Sequence, residues 1–190
     1  MGFKLAIFIS GRGSNMKEIV RASQRNELKS SIGLIVSNNA KAPGLLIPEI
    51  RNIPTLTLDE SNLDNKDFYL LLQKTLIENG IELICLAGFM KILDKSFINK
   101  WKNKIINIHP SLLPAFKGLK PQLNAIKNNV KYAGCTVHYV NERIDSGNII
   151  DQDIVKVSLD DNEISLAKKI LKKEHKLYIK VLKNLEDFNG

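Results

Sequence analysis

The sequence predicts an α/β domain: a Rossmann-like, mostly parallel sheet flanked by helices, with an antiparallel C-terminal strand addition and a long C-terminal helix. Three observations lead there. Short continuous apolar runs alternate with segments of helical spacing up to residue 109, the rhythm of a parallel sheet covered by helices. Beyond residue 130 two β-branched segments follow one another with only a polar connection between them. The chain then closes on a stretch with apolar residues at helical spacing and lysines between them.

Each element has its own signal. Residues 4–10 form an apolar run suited to a strand buried on both faces. Residues 15–27 place Met16, Ile19, Val20 and Ala22 near 3.6-residue spacing, which predicts a helix. Residues 31–37 read as a second strand, closed by Asn38 and Asn39, and residues 54–58 as a third. Residues 66–79 are predicted helical, with Phe68, Leu71, Leu72 and Leu76 on one stripe and Gly80 as the stop. Residues 83–86 and 105–109 supply the fourth and fifth strands. Residues 136–140 and 149–157 suggest a hairpin around Asp145-Ser146-Gly147. The last helix is expected over 163–185, with Ile164, Ala167, Ile170, Leu171 and Leu177 toward the core. No repeat or linker interrupts the 190 residues, so one domain is expected over 1–190. Its 1–100 half would bind phosphate or nucleotide, and its 101–190 half would be the folding unit's other, catalytic part.

Composition narrows the function classes. The longest apolar run, residues 83–90, is far short of the ~20 residues a membrane helix needs. Residues 5–9 are too short for a secretory core, and Ala6 stands where a myristoylation signal needs Ser or Thr. A cytoplasmic protein with no membrane partner is expected. Cys85 and Cys135 sit in apolar or strand-like stretches without metal-ligand spacing and read as buried thiols of a reducing compartment. The net charge is +8, yet only five of the 28 basic residues are arginines and the lysines are scattered along helices. That pattern speaks against a specific nucleic-acid partner and for local basic pockets that take small anions.

Three groups of residues carry candidate chemistry. Ser10-Gly11-Arg12-Gly13-Ser14-Asn15 lies between the first strand and the first helix. Glycines let the backbone approach a ligand, and a helix N-terminus offers free N–H groups to an anion. Ser14 and Asn15 add donors and are suited to cap the helix. A tight turn with a helix cap explains the same residues, so both readings stand at this point. If the loop takes an anion, Gly13→Val should block it while leaving the fold intact. The second group is Asn107 and His109, two apart on a strand and so on one face, at the end where open α/β sheets place ligands. An amide beside an imidazole suits an oxyanion; the competing reading is a strand-end histidine satisfied by backbone. The third is Asp145, which either orients that imidazole or serves a turn. His138 and His175 lack metal-ligand spacing, and no metal site is predicted.

Taken together these pieces resemble the glycinamide ribonucleotide transformylases, or phosphoribosylglycinamide formyltransferases, of the folate-dependent formyltransferase family. The resemblance runs through residues 9–15, residues 86–93, the Ile106-Asn107-Ile108-His109-Pro110-Ser111-Leu112-Leu113-Pro114 segment, residues 134–139, Asp145-Ser146-Gly147 and Glu174-His175. It implies transfer of a formyl group from the co-substrate 10-formyl-tetrahydrofolate to the amine of glycinamide ribonucleotide in purine biosynthesis, by direct attack through a tetrahedral intermediate. By resemblance, Gly13, Ser14 and Asn15 would hold the substrate phosphate and Glu174 its ribose end. Met90, Lys91, Ile92 and Leu93, with Asn141, Glu142, Arg143, Ile144 and Asp145, would line the pterin pocket, largely through backbone groups. The 101–190 half would thus be the folate-binding and catalytic one. Lys66 would also reach the folate, and Asn107, His109 and Asp145 would form the catalytic trio. Lys66 and Lys91 stand where relatives often carry arginine, which keeps the charge but loses the planar fork. Lys120-Pro121-Gln122 stands where relatives often have a histidine nearby. The resemblance fits a monomer or a homodimer. A formyl-tetrahydrofolate hydrolase, a methionyl-tRNA formyltransferase and a catalytically inert nucleotide- or RNA-binding module are the alternatives.

Overall fold

The computed structural model describes residues 2–59 and 64–188. Its centre is a seven-stranded sheet in the order β3-β2-β1-β4-β5-β6-β7. The strands are β1 (Lys4–Ile9), β2 (Ser31–Ser37), β3 (Thr55–Thr57), β4 (Leu83–Leu86), β5 (Ile105–His109), β6 (Tyr132–Tyr139) and β7 (Ile149–Lys156). Pairings from β3 through β5 are parallel, while β5–β6 and β6–β7 are antiparallel. The helices are α1 (Ser14–Gln24), α2 (Asn65–Glu78), α3 (Lys95–Lys100), α4 (Pro121–Lys127) and α5 (Glu163–Phe188). The sheet is continuous where β4 pairs with β5, so both halves of the chain share it.

Strand alternation sorts the core into two layers. Leu5, Ile7 and Ile9 of β1 join Leu83 and Cys85 of β4 and Ile106 and Ile108 of β5 on the face covered by α1 and α5. Ala6 and Phe8 join Ile84, Leu86 and Ile105 on the face covered by α2 and α3. Tyr178 of α5 is fully buried, and its hydroxyl donates to Leu86 O at 3.1 Å, tying the last helix to the middle of the sheet. Glu186, 2% exposed, accepts from the N–H groups of Lys29 and Ser30 and pins the turn before β2.

Several expectations need correction. Leu71 is 41% exposed and Ile164 is 68% exposed, so neither belongs to the core. Leu71 lies beside the stripe of Phe68, Leu72 and Leu76 that α2 buries, and Ile164 sits on the first turn of α5, where Leu166 and Ile170 make the contact instead. The first helix stops at Gln24 rather than Glu27, because Asn26 turns left-handed and Glu27 N–H donates back to Ala22 O. The sixth strand begins at Tyr132, four residues earlier than its apolar signal. Cys85 and Cys135 are buried and unbridged, and burial pushes both thiols up to about 12, which leaves them inert. Among the described residues no helix is long and apolar enough to cross a membrane.

Candidate functional site

Strand order reverses between β1 and β4, so the loops leaving their C-terminal ends diverge and open a crevice. The loop after β1 carries the glycines, and the loop after β4 carries residues 88–94. On β5 and β6 the face covered elsewhere by α2 and α3 turns polar. Asn107 pairs with His138 across the two strands and His109 with Thr136, which puts all four side chains on that face.

Gly13 has φ of +68° and is itself the N-cap of α1, with no side-chain cap bond. The expected cap by Ser14 or Asn15 does not form: Ser14 is the first helical residue, and Asn15 turns inward. First-turn N–H groups therefore receive no side-chain cap and suit an anion. Asn15 Nδ2 donates to Glu174 Oε2 at 2.8 Å, with both residues 7% exposed. Burial raises the Glu174 carboxyl above its usual 4.5, and the Asn15 bond opposes that rise. Asn15 Oδ1 is buried and has no hydrogen-bond partner among the described residues.

The Gly13→Val expectation fails on this geometry. A Cβ at Gly13 would lie 2.9 Å from Met16 Cε and 3.2 Å from Gly44 Cα, on a backbone that side chains rarely adopt. Gly11 is the better probe, since a Cβ there meets nothing within 4 Å. Gly11→Val is expected to keep the melting temperature and to cut affinity for a phosphorylated substrate at least about tenfold by calorimetry. Unchanged affinity would remove the anion from this loop.

His109 is 6% exposed. Its Nε2 lies 2.9 Å from Phe116 O, and its Nδ1 lies 3.3 Å from Asp145 Oδ2. Both neighbours are acceptors, so a ring carrying both protons satisfies both contacts. Asp145 Oδ2 also accepts from Gly118 N–H at 2.8 Å, and Asp145 holds a left-handed φ of +45°. The loop from β6 to β7 thus delivers Asp145 to the histidine, and the structure brings Asn107, His109 and Asp145 to one place.

His138 was missed from the sequence. Its Nδ1 lies 2.9 Å from Tyr139 O, a pure acceptor, so Nδ1 carries the proton and Nε2 accepts from Asn107 Nδ2 at 3.2 Å. That contact orients the amide of Asn107. Burial lowers the His138 pKa from its usual 6.5 and keeps the ring neutral. The unfolded chain therefore takes up the proton first as pH falls, and stability is lost below 6.5 toward the depressed folded value. Melting temperature should drop as pH falls below about 6.5, less steeply in His138→Gln. A slope identical in the variant would remove His138 from this account; His175, lowered by burial in the same direction, supplies the remainder.

The two segments expected to line a pterin pocket differ in exposure and surroundings. Met90 and Ile92 are 70% and 71% exposed, while Leu93 is buried in the core layer that also holds Phe97. Asn141, Glu142 and Arg143 line a cavity of about 450 Å³ with Ile98, Lys102 and Tyr139. Ile144 and Asp145 lie outside its lining, Ile144 being 56% exposed and Asp145 turned to His109. Asn99 Nδ2, near the end of α3, donates to Glu142 Oε1 at 3.1 Å and ties this loop to that helix. Any side chain at Gly147 would run into Tyr139 O, so the loop needs glycine there. Lys91 Nζ donates to Asn65 Oδ1 at 3.1 Å and lies 4.8 Å from the Phe68 ring centre. Lys66 is exposed on the first turn of α2, beside a second cavity of about 320 Å³.

A family profile described as formyl transferase matches residues 3–182. The phosphoribosylglycinamide formyltransferase of Bacillus subtilis is 36% identical over 98% of this chain and 96% of its own length. The trifunctional purine biosynthetic protein adenosine-3 of Gallus gallus is 39% identical over 92% of this chain, which spans only 18% of that protein. Among solved structures, phosphoribosylglycinamide formyltransferase from Anaplasma phagocytophilum superimposes with a TM-score of 0.89 at 44% identity, covering 96% of this chain and 86% of that one. A formyltetrahydrofolate deformylase from Pseudomonas syringae gives 0.88 at 27% identity, covering 98% and 62%. With a profile over nearly its whole length and a full-length relative of this identity, the chain belongs to the formyl transferase family, in its phosphoribosylglycinamide formyltransferase branch.

Proposed function

We propose that this chain transfers a formyl group from 10-formyl-tetrahydrofolate to the amine of glycinamide ribonucleotide, a step of purine biosynthesis. The observation that carries the reading is the convergence of half-buried Asn107 and Asp145 on buried His109 at the C-terminal end of β5, with Nδ1 of His109 held 3.3 Å from Asp145. The substrate phosphate sits at the N-terminus of α1, against Gly13, Ser14 and Asn15. Glu174 then accepts from a ribose hydroxyl. The folate lies along residues 90–93 and the 141–145 loop, with Lys66 and Lys91 near its acidic tail.

The neutral amine attacks the formyl carbon, and the carbonyl oxygen becomes an oxyanion. Asn107 has two amide protons; one serves His138, and the other is available to that oxygen. His109 presents Nε2–H to the same oxygen after exchanging its bond to Phe116 O. Asp145 keeps the ring oriented through Nδ1. Collapse of the intermediate breaks the bond to folate N10. The proton lost by the attacking amine equals the one N10 gains, and His109 with Asp145 passes it, directly or through water. Neither a covalent enzyme intermediate nor a metal enters the scheme, and placing two substrates in line supplies much of the rate. The unbridged thiols agree with work in the reducing cytoplasm.

The test is an assay with 10-formyl-tetrahydrofolate, with and without glycinamide ribonucleotide. Formylated product that requires the ribonucleotide is expected. Formate release independent of it would make the chain a hydrolase, and no turnover under either condition would make it a binding module.

A further inference from the structure

Residues 88–94 form neither helix nor strand, yet their backbone is tied at both ends by hydroxyls from elsewhere. Met90 N–H donates to Ser10 Oγ at 2.8 Å, and that hydroxyl donates onward to Asn38 Oδ1 at 2.5 Å. Asp94 N–H donates to Tyr69 Oη at 2.8 Å, and the same hydroxyl donates to Ile92 O at 3.3 Å. Each hydroxyl thus spends its single proton and a lone pair on these ties. Ser10 follows the last residue of β1, while Tyr69 lies on α2. The main chain of Ser10 is fixed as well, by N–H to Gly88 O at 3.1 Å and by Asn39 Nδ2 to its carbonyl at 3.2 Å. It therefore joins the loops after β1, β2 and β4 at the reversal of strand order.

Such a segment has no ladder to hold its shape. Met90 and Ile92 extend their side chains into solvent, so what the segment offers a flat heterocycle is main chain, and main-chain groups bind only where they are held. We infer that Ser10 and Tyr69 are positioning residues for the co-substrate: their hydroxyls fix the backbone of residues 90–94 in the shape that receives the fused-ring head of the folate. Neither touches the reacting atoms. The inference rests on the proposed role of residues 90–93 in folate binding.

Tyr69→Phe isolates the hydroxyl, because the ring can keep its contacts with Phe68 and Phe97 at centroid distances of 5.1 and 5.4 Å. Ser10→Ala removes the other tie. The measurements are calorimetric affinities for tetrahydrofolate and for glycinamide ribonucleotide, KM and kcat for both substrates, and the melting temperature. Each variant is expected to weaken tetrahydrofolate about tenfold, with a matching rise in folate KM. Affinity for glycinamide ribonucleotide stays within about twofold and kcat at saturating folate within about threefold. Ser10→Thr, which keeps a hydroxyl, regains most of the folate affinity. Unchanged tetrahydrofolate affinity in both variants overturns the inference, as does parallel weakening of both ligands with a fallen melting temperature, the mark of a merely structural tie. A wild-type protein that binds no tetrahydrofolate sinks the formyl-transfer reading itself, and this inference with it.

Discussion

Replacing His109 with alanine is expected to lower kcat by about 10²–10³-fold while both substrate affinities stay near their wild-type values. The ring is buried at the strand end, its Nδ1 is occupied by Asp145, and its Nε2 is the donor the developing oxyanion receives. Loss of a donor that acts only as charge develops falls on turnover rather than on binding. Asn107→Ala should fall in the same range, since its second amide proton serves the same oxygen. For the carboxylate, Asp145→Asn is the cleaner change: it removes the charge facing His109 while an amide oxygen can still accept from Gly118 N–H, which Asp145 Oδ2 now receives at 2.8 Å. His109→Ala/Asp145→Asn should be hardly worse than His109→Ala alone, because an acid with no ring to orient has lost most of its role. Steady-state kinetics on the four variants decide it. Near-normal turnover in His109→Ala, or losses that simply multiply in the double variant, would end the proposed trio.

The parts of this arrangement differ in how visible they are along the chain. β4 has the bounds its apolar run predicts, because a strand buried on both faces leaves an unbroken signal. The shared face of Asn107 and His109 follows from period two alone. α3 and α4, of six and seven residues, are too short for a helical period to register, and they went unpredicted. Spacing weighs His138 only as a metal ligand, because its contact with Asn107 depends on which residue of β5 stands opposite, and register between strands distant in sequence leaves no local mark. The approach of Asp145 to His109 has the same origin: the β6–β7 connection decides it. Leu71 and Ile164 were misplaced because spacing gives a helical stripe but not how far the sheet beneath it extends. Ser14 and Asn15 have the chemistry of caps, but a left-handed glycine took that position and freed Asn15 for Glu174.

Glu174→Gln should cost substrate binding and gain stability at once. The proposed role of Glu174 is a charged acceptor for a ribose hydroxyl, and hydrogen bonds to charged groups contribute about 1.5–3 kcal/mol, so glycinamide ribonucleotide should bind roughly 10–100-fold more weakly. Tetrahydrofolate affinity should not change, because the residue bonds Asn15 on the first turn of α1 and not the segments proposed to hold the folate. Stability moves the opposite way. The carboxyl is 7% exposed, its pKa is raised by burial, and the Asn15 bond only partly offsets that. A raised value means the folded protein takes up the proton before the unfolded chain does, so the ionised group costs stability above the folded pKa. That cost fades as pH falls toward the unfolded 4.5. Glutamine carries no charge and can still accept from Asn15 Nδ2, so the variant should melt higher than wild type near neutral pH. The gap should close as the buffer approaches about pH 4.5. Calorimetric titration with each ligand and melting curves across that range test both halves. Unchanged ribonucleotide affinity would remove Glu174 from the substrate site. A variant that melts lower than wild type at neutral pH would mean the buried carboxylate stabilises the fold through contacts that outweigh its desolvation.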